Sequence, residues 1–347
     1  EAALAAAESL AYPPLVAEAL LTVGGLAAQT HALDRAEDTL TRAYVEAGSL
    51  GADDVAVQAV MQLVSTVGYL RGRPAEGLLW SRSAEMLLRK LGLVDALPGA
   101  NLAVHLAAVH QLQGTYAEAV RLFGRALEIR ERELGPTHPE VASALNNLGE
   151  TYRLQGDIET ALRLQERALA IYEEQLGPDH PNVAASLNNL GLLREARGEL
   201  EPARGLYERA MKIREEQLGP DHIDVAVPLS NLSNVRDSQG AHDEAQRLLE
   251  RAVAIHEKAL GTEHPRLAGL LVNLAAIHLE QGRSDEAQRL AERALRIIES
   301  TLGPDHPDVV HSLDMLGALA LARGRPADAI PPLERALVIN AGAAPLR

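Results

Sequence analysis

HPEVASALNNLGETYRLQGDIETALRLQERALAIYEEQLGPD, residues 138–179, is the stretch whose reading decides the fold. Residues 181–221 repeat it as PNVAASLNNLGLLREARGELEPARGLYERAMKIREEQLGPD, and the pattern goes on returning. His138, His180, His222, His264 and His306 each lie 42 positions after the one before, as do Gly114, Gly156, Gly198, Gly240, Gly282 and Gly324. Self-similarity at such a period marks a stack of supersecondary units, each touching only its neighbours.

Within residues 139–176, Val141, Leu145, Leu148 and Tyr152 are spaced by three and four, which is one face of an α-helix. Gly156 ends that helix and Asp157 opens a second, whose apolar face continues through Ala161, Leu164, Ala168, Leu169, Ile171 and Leu176. At 1.5 Å per residue the second helix is on the order of 30 Å long. Gly177 suits the left-handed position past a helix end, Pro178 prevents continuation, and Pro181 sits at a first helical position where its missing N–H costs nothing. Such short joins force successive helices antiparallel. The small column Ala119, Ala161, Ala203, Ala245, Ala287 and Ala329 permits their close approach.

Six regular units occupy residues 98–340, at about 98–134, 139–176, 181–218, 223–260, 265–302 and 307–340, and 341–347 form a tail. Residues 1–97 match loosely: a helix end over 1–12, a hairpin from Pro14 to Ala47 and another from Asp53 to Leu91 broken at Arg71-Gly72-Arg73. Two irregularities stand out. Pro228 lies inside a first helix, where it removes a hydrogen bond and predicts a kink; Pro331-Pro332 interrupts the last helix and predicts a bent or frayed end.

Composition narrows the function classes. With 33 basic against 48 acidic residues the net charge is −15, unsuited to nucleic acid, whose binding rests on phosphate neutralisation. Aromatics are 3% of the chain, leaving little to stack on bases. No apolar run approaches the roughly 18 residues that span a bilayer. The absence of cysteine excludes disulfides, thiol nucleophiles and cysteine-ligated zinc, and fits a reducing, cytoplasmic setting. The chain starts at Glu1 without Met, from which we expect it to be part of something longer.

Leu145, Leu148, Gly149, Tyr152, Gly156, Ala161 and Ala168 fall in the order of the tetratricopeptide repeat, and the whole resembles that family. The 42-residue period, the Leu-Asn-Asn-Leu-Gly core and the Gly-Pro-Asp-His-Pro joint resemble its kinesin-light-chain-type variant, strongly over 98–340 and weakly over 1–97. The resemblance implies an all-α solenoid, a right-handed superhelix of about eight antiparallel hairpins, that binds other proteins. A looser likeness is to the C-terminal repeat regions of bacterial multidomain regulators such as serine/threonine protein kinases. It implies, as the alternative function, a regulatory or substrate-docking region of a larger signalling enzyme. No kinase motif is present. Arg194 and Arg236 depart from the family by standing where Tyr152 stands in its own unit, and a kink at Pro228 would turn them toward the binding groove.

Chemistry finds little support. Histidines one per unit, spaced by helix layers of 8–10 Å, cannot share a metal whose ligands lie about 2 Å from it, so they read as helix caps. Ser143, Ser186 and Ser230 lack a nucleophile elbow, and no phosphate-binding glycine loop occurs. We expect no catalytic residue, no metal and no cofactor.

The candidate surface is a polar column. Asn147, Asn189, Asn231 and Asn273 recur mid-helix although Asn is a poor helix former, a cost that something must offset. In the family the first helices line the concave groove, and the resemblance places these amides there. An amide offers donors and an acceptor, so a ladder of them suits the backbone of an extended peptide; alternatively each Asn bonds the neighbouring unit and tunes the stack. By the same carry-over, Asn146, Glu150, Asn188, Glu195, Asn234, Asp237, Glu280 and Asp314 flank the ladder, with Arg153 as the clearest cation, and Leu154 and Leu192 would edge side-chain pockets. The family's basic carboxylate clamp, expected at Asn146 and Asn147, is absent. The expected partner is therefore a neutral or basic extended peptide in a site of Asn146, Asn147, Glu150, Asn188, Asn189, Asn231, Asn234 and Asn273. End-to-end self-association is a third expectation, since the last helix is not obviously polar.

Overall fold

The computed structural model describes residues 2–343; the last four residues of the expected tail lie outside it. Among the described residues there are seventeen α-helices, one π-helical turn, one 3-10 turn and no strand. The described residues form two compact units that divide between residues 178 and 179.

In the first unit, α1 (Ala2–Ser9) precedes four hairpins. These are α2 (Pro13–Gln29) with α3 (Leu33–Leu50), α4 (Asp53–Leu63) with α5 (Pro74–Leu91), α6 (Leu97–Leu112) with α7 (Tyr116–Leu134), and α8 (Pro139–Leu154) with α9 (Ile158–Leu176). The second unit has four more: α10 (Pro181–Ala196) with α11 (Leu200–Leu218), α12 (Ala226–Ser238) with α13 (His242–Leu260), α14 (Leu267–Glu280) with α15 (Ser284–Thr301), and α16 (Val309–Ala322) with α17 (Pro326–Ala343). Each unit is thus an all-α solenoid of antiparallel hairpins, as the period implied. The alanine column is fully buried where it was meant to be: Ala119, Ala161, Ala203, Ala245 and Ala287 are each 0% exposed.

The joints follow one chemical plan. At His138, His180, His222, His264 and His306 the imidazole Nδ1 accepts the backbone N–H two residues on, at 3.1–3.2 Å. Each satisfies one of the donors that a helix start leaves free. The glycine before each joint is more demanding than a simple left-handed cap. Gly135, Gly177, Gly219 and Gly261 have φ of 88–92° and ψ of 155–163°, a region essentially closed to residues with a Cβ.

A second device was not singled out in the sequence: an arginine column, also of period 42. Arg167 donates to the carbonyl of Pro136 at 3.3 Å and pairs with Glu131 at 2.6 Å. In the second unit Arg251 does the same to Pro220 and Glu215, Arg293 to Thr262 and Glu257, and Arg335 to Pro304 and Glu299. Each guanidinium ties a second helix to the end of the preceding hairpin through a joint carbonyl and a last-turn carboxylate, the fork geometry that arginine provides and lysine does not.

Two expectations about irregular positions change. At Pro228 no mid-helix kink forms. A 3-10 turn, Ile223–Val225, delays the helix so that Pro228 becomes the third residue of α12, where the N–H has no intrahelical partner to lose. At Pro331-Pro332 the helix is not interrupted: α17 runs through both. The carbonyls of Ala327 and Asp328 lose their donors four residues on, and a recess of about 450 Å³ lies beside the two prolines. In the hairpin of α4 and α5 the break falls at Arg71-Gly72-Arg73 as expected, and the first helix ends ahead of it in a π turn, Val64–Leu70. There Gly68 and Gly77 cross backbone to backbone: a Cβ on Gly77 would lie 2.4 Å from the Cα of Gly68.

Candidate functional site

The first helices bury one face against their own second helix and leave the Asn column at their margin. Asn146, Asn147, Asn188, Asn189, Asn231, Asn234 and Asn273 are all half-buried, so the amides are neither core nor freely solvated. The residue after each ladder position, Leu148, Leu190, Leu232 or Leu274, is buried and fixes the helix rotation.

In the first unit the two asparagines of α8 have different fates. Asn146 hydrogen-bonds the Tyr172 hydroxyl on α9, and its carbonyl accepts from the buried Gln165 amide at 3.0 Å. Asn147 uses only its backbone: its carbonyl accepts from Thr151 Oγ1 at 2.8 Å, and Thr151 in turn accepts from Gln111 of α6 at 2.8 Å. Among the described residues the Asn147 side-chain amide has no hydrogen-bond partner. Glu150 is neutralised by Arg153 through two bonds of 2.7 Å.

In the second unit Asn231 Nδ2 donates to Asn188 Oδ1 at 2.9 Å, a bond from α12 to α10. Those two amides tie neighbouring hairpins together, which is the stacking role. Asn189, Asn234 and Asn273 make no such bond among the described residues. Asn273 lines a recess of about 490 Å³ between α14 and α16, with Val272 and Met315 as apolar wall and Asp314 and His311 at the edge. Asp314 is exposed and forms no ion pair among the described residues.

The arginines expected to turn into a groove are spent within their own hairpins. Arg194 pairs with Glu199 at 2.8 Å, and Arg236 with Glu244 at 3.1 Å. Both bridge the end of a first helix to the start of its second. Glu195 accepts the Tyr207 hydroxyl at 3.0 Å; burial pushes its carboxyl up, and the Tyr207 bond opposes that. Of the two expected pocket edges, Leu192 packs against the cluster of Ala203, Tyr207, Leu232 and Val235, while Leu154 is exposed at the end of α8.

One trio has the composition of a metal site. His242 Nδ1 lies 2.8 Å from Asp237 and 3.3 Å from Glu280, and the three ligand atoms lie within 4.8 Å of one another. The Asp237 hydrogen bond, with the Asp237 and Glu280 charges, pushes the His242 imidazole up, and the trio brings side chains of α12, α13 and α14 together. The joint histidines have turned Nδ1 onto backbone N–H groups, which is the capping role read from their spacing. The recess and the arginine column went unread because both are made by residues of adjacent hairpins. Their signal was in the columns: Asp314 and Met315 replace the Asn-Asn pair of Asn146 and Asn147 one for one.

No helix among the described residues is long and apolar enough to cross a membrane. No curated protein matches the sequence. Among solved structures, a protein of Podosopora anserina described as a kinesin light chain with nearly identical TPR-like repeats is 29% identical with a TM-score of 0.50, covering 60% of this chain and 99% of that one. BtubC (BKLC) from P. vanneervenii is 23% identical with a TM-score of 0.54, covering 68% and 95%. The apo form of RapI is 14% identical with a TM-score of 0.66, covering 94% and 87%, a likeness of fold alone. The tetratricopeptide repeat family profile matches residues 100–174, 140–216, 194–258 and 266–339, and the chain belongs to that family, with repeats of the kinesin-light-chain type.

Proposed function

We propose that this chain is a non-catalytic interaction scaffold in the cytoplasm that takes an extended, neutral or basic segment of a partner protein along its first helices. A protein-binding role is what tetratricopeptide repeats typically serve; the surface and the kind of segment are our reading. The observation that carries it is the split within the Asn column. Asn188 and Asn231 are consumed in stacking, but Asn147, Asn189 and Asn273 keep both donors and an acceptor free at half-buried positions. A half-buried amide without a partner is costly unless a ligand supplies one, and a peptide backbone offers the matching groups at every residue. Asp314, unpaired beside Asn273 in the α14–α16 recess, favours a donor or a cation over an acid. By the same reading residues 98–340 are the working array and 1–97 its divergent start.

The test is a peptide library read by fluorescence polarisation against wild type and an Asn189→Ala/Asn273→Ala variant. Binding of neutral or basic sequences, weakened about tenfold in the variant while its melting temperature holds, supports the reading. Binding of acidic peptides only would overturn it.

A further inference from the structure

A second slot between consecutive first helices lies in the first unit, and its chemistry is opposite. Between α4 and α6 the structure has a cavity of about 670 Å³, within the range of small-molecule sites. Val57, Met61, Leu93 and Val104 make its wall, and Val57 and Met61 are 4% and 8% exposed. Arg130 of α7 lines the same cavity and is itself 8% exposed.

The Arg130 guanidinium is incompletely partnered. Nη1 donates to the Glu140 carbonyl at 3.2 Å and Nη2 to Asn101 Oδ1 at 3.1 Å, while Nε is buried and makes no hydrogen bond. The nearest carboxylate oxygen, from the half-exposed Glu140, is 3.5 Å from Nε. Burying a cation without full compensation is costly, and an anion in the cavity beside the guanidinium relieves that cost. His105 reports the local field: burial first, and then the Arg130 charge, push its imidazole down to about 4, so it stands neutral in the cavity wall at pH 7. The only carboxylate in the lining, Asp54, is exposed and screened by water. His105 occupies the column of Asn147, so this cavity forms at a hairpin that departs from the Asn ladder.

We propose that the α4–α6 cavity binds a small amphipathic carboxylate, its aliphatic body against Val57, Met61, Leu93 and Val104 and its carboxylate against the Arg130 guanidinium. The site stands on the first unit alone and does not depend on the peptide reading.

The chain has four methionines, Met61, Met86, Met211 and Met315, which makes a selectively 13C-methyl-labelled methionine spectrum a direct probe. Octanoate, octanol and octylammonium are titrated in parallel. Octanoate is expected to shift Met61 saturably and leave Met315 unmoved, binding at least tenfold more tightly than the other two. Arg130→Gln should remove that preference, and Val104→Trp, which keeps Arg130, should abolish the Met61 response while the other three methyl signals hold their positions. Equal binding of octanol or octylammonium, an unchanged octanoate titration in Val104→Trp, or no Met61 shift at millimolar octanoate would overturn the proposal. So would a Met61 response to a leucine-ending peptide without one to octanoate. A library peptide that shifts Met315 alone speaks to the peptide surface and leaves this site to its own titration.

Discussion

The hairpin of α4 and α5 and that of α8 and α9 do the same job with different chemistry. The regular one keeps its helices close with Ala161 and Ala168, both 0% exposed, and caps its start with His138. The irregular one brings two glycines backbone to backbone and absorbs the geometry in a π turn. Around it the first unit leans on single large groups: Trp80 of α5 meets Tyr44 of α3 edge to face at 5.8 Å. Small residues at a fixed period give a unit that can be copied. A unit built on one glycine contact and one aromatic pair cannot be, and that hairpin borders the cavity.

The largest effect is expected where the two differ most. Gly77→Ala places a methyl against the Gly68 backbone, which cannot rotate away, and should cost about 3 kcal/mol, the top of the overpacking range. Ala161→Leu in the regular hairpin should cost about 1–3 kcal/mol. Urea unfolding measures both; a Gly77→Ala cost under about 0.5 kcal/mol would mean that the crossing is loose.

Next comes pH. His105 binds its proton in the unfolded chain near 6.5 but in the folded one only near 4, so the unfolded state holds more protons between those values. Stability should therefore be intact above 6.5 and fall as pH drops toward 4, by up to about 3 kcal/mol from this group. His105→Asn, which installs the regular column's residue, should flatten that part of the profile. A profile unchanged by His105→Asn would contradict the assignment.

The joints provide a finer comparison. Gly51 ends α3 at φ 69°, ψ 19°, an ordinary left-handed cap that Asn tolerates, so Gly51→Asn should cost a few tenths of a kcal/mol. Gly135, at φ 88° and ψ 156°, holds a backbone conformation that residues with a Cβ rarely adopt, and Gly135→Asn should cost about 1–3 kcal/mol. Equal melting temperatures for the two variants would show the joints to be alike. At the capping histidines, His138→Ala should cost about 1 kcal/mol and, smallest of all, His138→Asp, which can accept the same N–H, very little.

These contrasts explain what could be read from the chain. The period, the hairpins and the capping histidines are local properties, carried by residues within one helix turn of the groups they satisfy. The delayed start of α12 at Pro228 and the unbroken α17 at Pro331 were misread because one proline was placed about one turn too deep and the other was taken to outweigh the packing of a whole helix. The Asn column was visible, but its division into Asn188–Asn231 bonding and free Asn189 and Asn273 depends on side chains 43 residues apart. Arg130 at the α4–α6 cavity depends on three separate helices and leaves no local pattern.

The claim at the centre is that the unbonded amides of the first helices are the working surface. The direct test is capture from source-cell lysate, quantified by mass spectrometry, comparing wild type with Asn189→Ala/Asn273→Ala and with Arg247→Ala on the exposed side of α13. The account predicts a protein retained by wild type and Arg247→Ala but lost from the asparagine variant, all three melting alike. Identical protein lists from all three would contradict it and return the Asn column to a purely structural role.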